Sequence, residues 1–162
     1  MHHHVKPSAI FGFRCFIVLL SLLSTLTHAQ LRIEVTQGVD NPTPIAVVPF
    51  AWQGAGAISE DVAQIVDADL ARSGQFAPVS RRDMLSYPSR GSDIYFRDWR
   101  AINSDYVVIG RVFDGPEMRI EYQLFDTTRQ IEITAGSVSG SAQEARMLSH
   151  RVADAIYEKL TG

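Results

Sequence analysis

Residues 45–50, Ile45-Ala46-Val47-Val48-Pro49-Phe50, run without a polar side chain at any position. A strand with one wet face alternates apolar and polar residues. A run that is apolar on both parities reads as a strand covered on both faces, the habit of parallel-sheet cores. The residues that follow suit such a core. Gly54-Ala55-Gly56 supplies a loop, and Ser59 is a good helix N-cap, with Glu60 and Asp61 placed to favour the positive end of a helix dipole. Ile58, Val62, Ile65, Val66 and Leu70 then recur at helical spacing, with Asp61, Gln64, Asp67 and Arg72 on the opposite face and Gly74 as a left-handed stop. Strand, loop and helix make the α/β unit around which the rest is arranged.

Downstream, 76–80 reads as a short edge segment, because Pro78 cannot donate to a ladder. Residues 87–92 form a loop, and 95–102 a short helix presenting Phe96, Trp99 and Ile102. Residues 105–113 read as a buried strand with Gly110 at a close approach. The turn Asp114-Gly115-Pro116 leads to Met118, Ile120, Tyr122 and Leu124, which alternate with Arg119, Glu121 and Gln123 as in a half-buried hairpin partner. Residues 131–138 make a third strand of the meander. Ser141 and Glu144 have capping-box spacing before the stripe Ala145, Leu148, Val152, Ile156 and Leu160, with Lys159 near the helix end. The expected fold is α/β (α+β): a single mixed β-sheet packed by two long helices and one or more short helices.

Upstream, Leu31-Arg32-Ile33-Glu34-Val35 alternates as a half-buried strand does, and Gly38 and Asp40-Asn41-Pro42-Thr43-Pro44 follow as a hinge. Before it, Lys6 and Arg14 precede the apolar run 16–26, closed by Thr27-His28-Ala29: a secretory signal peptide cut after Ala29. Arg14 interrupts the apolar stretch, which falls short of the roughly 20 residues of a membrane span. The expected organisation is a signal peptide over 1–29, an arm and hinge over 30–44, and a domain over 45–162, with no transmembrane segment after cleavage.

The chain has 162 residues, 46% of them apolar, with 15 Lys+Arg against 18 Asp+Glu. Removing the signal peptide takes two cations and no acid, so the exported part carries a formal charge of −5. No basic excess is available for phosphates, and nucleic acid is not an expected partner. The lone cysteine, Cys15, and four of the five histidines go with the signal peptide, leaving His150, read as a helix-surface residue. No nucleophile–base pair, zinc set or calcium loop is legible, so no catalytic residue, metal or cofactor is expected. Asp67-Ala68-Asp69 reads as solvated helix charge. Gly54-x-Gly56 ahead of a helix imitates a pyrophosphate cradle, but Ser59 stands where a third Gly or Ala belongs, and Glu60 and Asp61 would repel phosphate. Trp52, Phe96 and Trp99 offer an aromatic contact surface, against the plainer reading of core packing.

Taken in order, LRIEVTQGVDNPTPIAVVPFAWQG (31–54), ISEDVAQIVDADLARSGQFAPVSR (58–81), SDYVVIGRV, EYQLFD and ADAIYEKLTG (153–162) resemble the amino-terminal domain of TolB, a periplasmic component of the Tol–Pal system. The resemblance implies a mixed α/β domain that is followed, in the family, by a six-bladed β-propeller. The present sequence stops at Gly162, as a truncated product, a fragment or a split version would. Pal docks mainly on the propeller in the family, so direct Pal binding is not expected of this stretch. What carries over is the arm, implied to bind the C-terminal domain of TolA: Gln30, Leu31, Arg32, Ile33, Glu34, Val35, Thr36, Gln37, Gly38, Val39, Asp40 and Asn41. An alternating strand beyond a Pro/Gly hinge suits addition to a partner's sheet edge, or to its own. The function implied is a non-enzymatic periplasmic adaptor supporting outer-membrane integrity and envelope constriction at cell division.

Two other readings remain beside it. One is an oligomerising periplasmic envelope-assembly domain of lipoprotein type, several of which share a strand like IAVVPF followed by a helix and a Gly-Gln-Phe step. The other is small-ligand binding at the 54–59 loop. A patch at Tyr157 and Leu160 is also expected to be exposed if nothing follows the last helix.

Overall fold

The computed structural model describes residues 41–56 and 60–162. Strand β1 (Thr43–Val47) lies between β3 (Phe76–Pro78) and β4 (Tyr106–Phe113) and runs parallel to both. From β4 the sheet continues as an antiparallel meander through β5 (Met118–Asp126) and β6 (Ile131–Gly140), giving the order β3-β1-β4-β5-β6. Helices α1 (Val62–Arg72) and α3 (Ala145–Thr161) are long, and α2 (Phe96–Ala101) is short. The architecture is the mixed sheet with two long helices and a short one that the sequence implies.

Ile45, Ala46, Val47 and Val48 are all 0–1% exposed, and their parity divides two cores. Ile45 and Val47 join Val62, Val66 and Leu70 of α1 and Leu148, Val152 and Ile156 of α3 on one face. Ala46 and Val48 join Met84, Ile94, Trp99, Val107, Ile109 and Phe125 on the other. The apolar run of 45–48 is thus the middle layer of three. The N–H of Val48 still donates to Val108 O at 2.9 Å, and at Pro49, which has no N–H, the pairing breaks. A further strand, β2 (Ala51–Gln53), then resumes beside β4, an element that the sequence analysis does not assign.

Helix α1 starts later than expected. Its N-cap is Asp61, whose carboxylate accepts from Gln64 N–H at 3.0 Å, so Asp61 closes the helix instead of sitting on its polar face. Ser59, the expected cap, lies outside the described residues. Gly74 ends the helix with φ of +72°. Before α3 comes a single 3₁₀ turn (Ala142–Glu144), whose Glu144 carboxylate accepts from both the backbone N–H and the hydroxyl of Ser141, each at 2.8 Å. Those bonds hold the Glu144 carboxyl below its ordinary range.

The aromatic surface does not form. Trp99 is 1% exposed in the core beneath α2, and Phe96 packs there on Phe125 with ring centroids 6.1 Å apart. Trp52 packs on the opposite face of the sheet. The core-packing reading holds for Trp99 and Phe96.

Candidate functional site

Of the expected arm, residues 30–40 lie outside the described residues. Its last residue, Asn41, is exposed at a bend, and Pro42 is half-buried where the chain enters β1. That entry point is heavily hydrogen-bonded. Thr43 N–H donates to Gln75 O at 2.9 Å, and Asp105 N–H donates to Pro44 O at 3.0 Å. Beside it, the buried Thr127 hydroxyl donates to Ser104 O at 2.6 Å, and the Thr127 N–H to Asp105 O at 3.0 Å. Arg100 closes the group by donating to Thr127 O at 2.9 Å. These bonds pair the carbonyls of Ser104, Asp105 and Thr127 and the N–H groups of Asp105 and Thr127 where β4 begins and β5 ends. The proposed arm thus joins the body beside a hydrogen-bonded cluster.

The same end of the sheet receives the end of α3. Because β4 runs with β1, β5 against it and β6 with it, α3 returns along the sheet to finish where β1 starts. Phe76 is the register partner of Thr43, and the Tyr157 ring meets Phe76 edge-on at 6.2 Å and 80°. Tyr157 is 38% exposed, in line with the expected patch, whereas Leu160 packs partly against the core.

Polar chemistry concentrates between α1 and α3. His150 Nδ1 is bonded to the Asp69 carboxylate, which also accepts from Arg72 at 2.7 Å, and Arg146 reaches Glu60 at 3.9 Å. Burial raises the Asp69 carboxyl, but its hydrogen bonds to His150 and Arg72 outweigh that and hold it below the ordinary 3.8. Asp69 is therefore a bridge between two helices and not the solvated charge expected of it. Asp67 is the reverse: half-buried, it is pushed up by desolvation, which outweighs the opposing pull of the Arg81 charge. Among the described residues no group of three His, Cys, Asp or Glu side chains could hold a metal ion.

The loop after β2 is a packing device. A side chain at Gly54 would overlap the Trp52 indole and Asp114, and the indole N–H donates to Gly56 O at 3.0 Å. The α1 N-terminus is already occupied by the Asp61 carboxylate, which Arg81 grips with two bonds of 2.6 and 2.8 Å. That pair, with the Arg81 hydrogen bond as the largest effect, holds Asp61 below its usual value. A phosphate would have to displace a carboxylate that is both a cap and an ion-pair partner.

Residues 31–133 match the family described as the TolB amino-terminal domain. The chain belongs to that family. The TolB relatives include a "Tol-Pal system protein TolB" of Marinomonas sp., 46% identical over 154 residues, which cover 92% of this chain and 36% of the relative. The chain thus spans about a third of the length of the TolB relatives it matches. Among solved structures, TolB from Acinetobacter baumannii superposes with a TM-score of 0.65 at 31% identity, over 78% of this chain and 30% of that one. The C-terminal domain of LpoB from Salmonella enterica superposes at 0.52 with 16% identity, over 65% of this chain and 87% of that one. At that identity the likeness is one of fold alone. The reading as an oligomerising lipoprotein-type assembly domain is accordingly not favoured over TolB. Among the described residues no helix is long and apolar enough to cross a membrane.

Sequence reasoning missed the Asp69–His150 and Asp61–Arg81 pairs, which join residues 81 and 20 positions apart. Only Asp61 carried a local signal, since an Asp three residues ahead of an N–H in a starting helix is a candidate cap.

Proposed function

We propose that this domain is a non-enzymatic periplasmic adaptor that presents residues 30–41 to the C-terminal domain of TolA. Membership of the TolB family supports the system. The hydrogen-bonded start of β1, which follows the arm in sequence, is the observation that carries the reading. A peptide captured by a partner transmits force or position only if its anchor does not unravel. Thr43, Pro44 and Asp105 are tied to their neighbours by backbone hydrogen bonds just after the arm ends in sequence. Leu31, Ile33 and Val35 alternate with Arg32 and Glu34, the pattern an added strand needs to bury one face on a partner's sheet edge and wet the other. Support of outer-membrane integrity and of envelope constriction at division follows from that role within the Tol–Pal system.

The test is deletion of 30–41. Binding to the purified TolA C-terminal domain is expected to disappear while the thermal transition of the remaining domain stays in place. If the shortened domain binds TolA as before, the arm is not the TolA-binding element. Pal is a control: the reading expects no strong Pal binding with or without the arm.

A further inference from the structure

Three features meet at the end of the sheet where the arm is rooted. Strand β3 is three residues long, lies at the sheet edge and carries Pro78, so few backbone bonds hold it: Thr43 N–H to Gln75 O at 2.9 Å and Val79 N–H to Ile45 O at 2.8 Å among them. Its position depends on the side chain of Phe76, 5% exposed in the helix-side core. The outer partner of that ring is Tyr157, from the last two turns of α3. Between the ends of α1 and α3 lies a cleft of about 210 Å³ lined by Asp69, Leu70, Ser73, Ala153, Asp154 and Tyr157, with the Asp69–His150 bond holding the helices at its inner end. The cleft gives the end of α3 room to shift against α1, and the aromatic contact ties it to β3.

We propose that the Phe76–Tyr157 contact couples the end of α3 to the root of the arm, so that loosening either one loosens the other. Strand β1 is secured on its inner side by β4 and on its outer side by β3 alone. Movement of α3 that withdraws the Tyr157 ring leaves Phe76, and with it the Thr43–Gln75 bond, less well held. Any consequence for TolA capture rests on the function proposed above; the coupling itself does not.

Hydrogen exchange measured amide by amide, on the chain carrying its arm, tests the coupling. Tyr157→Ala is expected to speed exchange at Thr43 and Val79 by roughly 2- to 12-fold, the range set by an edge-to-face pair. Val108 in the central strand should keep its rate, and Tyr157→Phe, which retains the ring, should match the parent at every amide. Phe76→Leu, chosen because it keeps the core filled, should speed Thr43 as well. The double variant Phe76→Leu/Tyr157→Ala should then be no faster than the faster single. An unchanged rate at Thr43 overturns the coupling. So does an equal acceleration at Val108, which would mean a general loss of stability. If exchange at Thr43 rises as expected but affinity for the TolA C-terminal domain is unaltered, the coupling stands and its bearing on capture is refuted. Loss of binding on deleting 30–41 remains the separate test of the function.

Discussion

Replacing Gly110 by Ala tests how tightly the layers are fitted. Gly110 lies in β4, opposite Tyr122 of β5, on the face that carries Val108 and Val112. A methyl group there would overlap the edge of the Phe50 ring. Phe50 follows Pro49, where β1 has ended and β2 has not begun, and its half-buried ring occupies the volume that the missing side chain leaves. Two responses are open to the variant. The ring swings out and gives up part of the roughly 1.5–3 kcal/mol that burying a Phe is worth. Otherwise β4 shifts and accepts the roughly 1–3 kcal/mol of an overpacked core. Both predict a loss of about 1–3 kcal/mol, read as a lower urea midpoint with unchanged slope and a melting temperature lower by roughly 3–15 °C. The decisive arm is Phe50→Leu combined with Gly110→Ala. The new methyl then enters space the smaller side chain has vacated, and the double variant should be at least about 1 kcal/mol more stable than the two single losses added together, beyond the roughly 0.5 kcal/mol within which independent sites add. Gly110→Ala within about 0.5 kcal/mol of the parent, or strict additivity in the pair, refutes the close-approach argument.

Other perturbations follow from the same geometry. Asp69→Asn should lower stability at neutral pH and flatten its acid dependence: a carboxyl held below 3.8 in the fold contributes stability above that pH, and loses it as pH falls through the depressed folded value. Urea midpoints from pH 7 to pH 3 check this, and parallel curves for variant and parent would contradict it. Asp67→Asn should do the opposite and raise stability at pH 7, because burial pushes that carboxyl up and the fold prefers its neutral form; a lower midpoint would show an ion pair at work. Deletion of 30–41 and the Tyr157 series are expected to behave as set out above, the first by losing TolA binding with its thermal transition kept, the second by accelerating exchange at Thr43.

Much of this fold was legible because its signals are local. Apolar residues at every position of 45–48, the helical recurrence from Val62 to Leu70, and the period-2 alternation of β5 each report burial through neighbouring residues. What escaped is short or distant. Three residues, Ala51-Trp52-Gln53, are too few to display a period, so β2 could not be told from the loop after it. Strand β6 runs two residues past the expected end, since Ser139 and Gly140 resemble a turn until they pair with Arg119 and Met118. It also carries an irregularity at Ile133, where the register steps between Leu124 and Phe125, and nothing in 131–138 announces it. The cap of α1 moved from Ser59 to Asp61 because Arg81, 20 residues on, helps fix the Asp61 carboxylate. The Asp69–His150 bridge depends on how α3 is laid beside α1, which periodicity within either helix does not contain. As for the site, the sequence offers the alternation and hinge on which the proposed arm rests, whereas the hydrogen-bonded network where β1 starts could not be read from it. Ser104 and Thr127 look like ordinary loop residues until β4 and β5 pair.

The alternation of 31–35 and the hydrogen bonds at the start of β1 bear on one another. Fixing a 12-residue segment in one conformation costs about 1–2 kcal/mol of backbone entropy per residue, or roughly 12–24 kcal/mol in all. Strand addition offsets much of that with main-chain hydrogen bonds and one buried row of side chains, leaving a net affinity that is modest for the surface covered. Were the root also free to unravel, each further residue of β1 drawn into the complex would add to the cost and would strip Ile45, Ala46, Val47 and Val48 out of two cores at once. If 30–41 is the TolA-binding arm, the root bonds set a boundary: the partner takes the chain up to Asn41, and β1 begins at Thr43. On the adaptor reading, that boundary is what allows the arm to be taken and released repeatedly without unfolding the body that carries it. Weakening the boundary, by Thr127→Val for instance, which removes the hydroxyl bonded to Ser104 and Asp105, should then cost about 1–3 kcal/mol of domain stability. TolA affinity should change little, because the residues that contact the partner are untouched. A large loss of affinity at full domain stability would place the recognition element in the body and not in the arm.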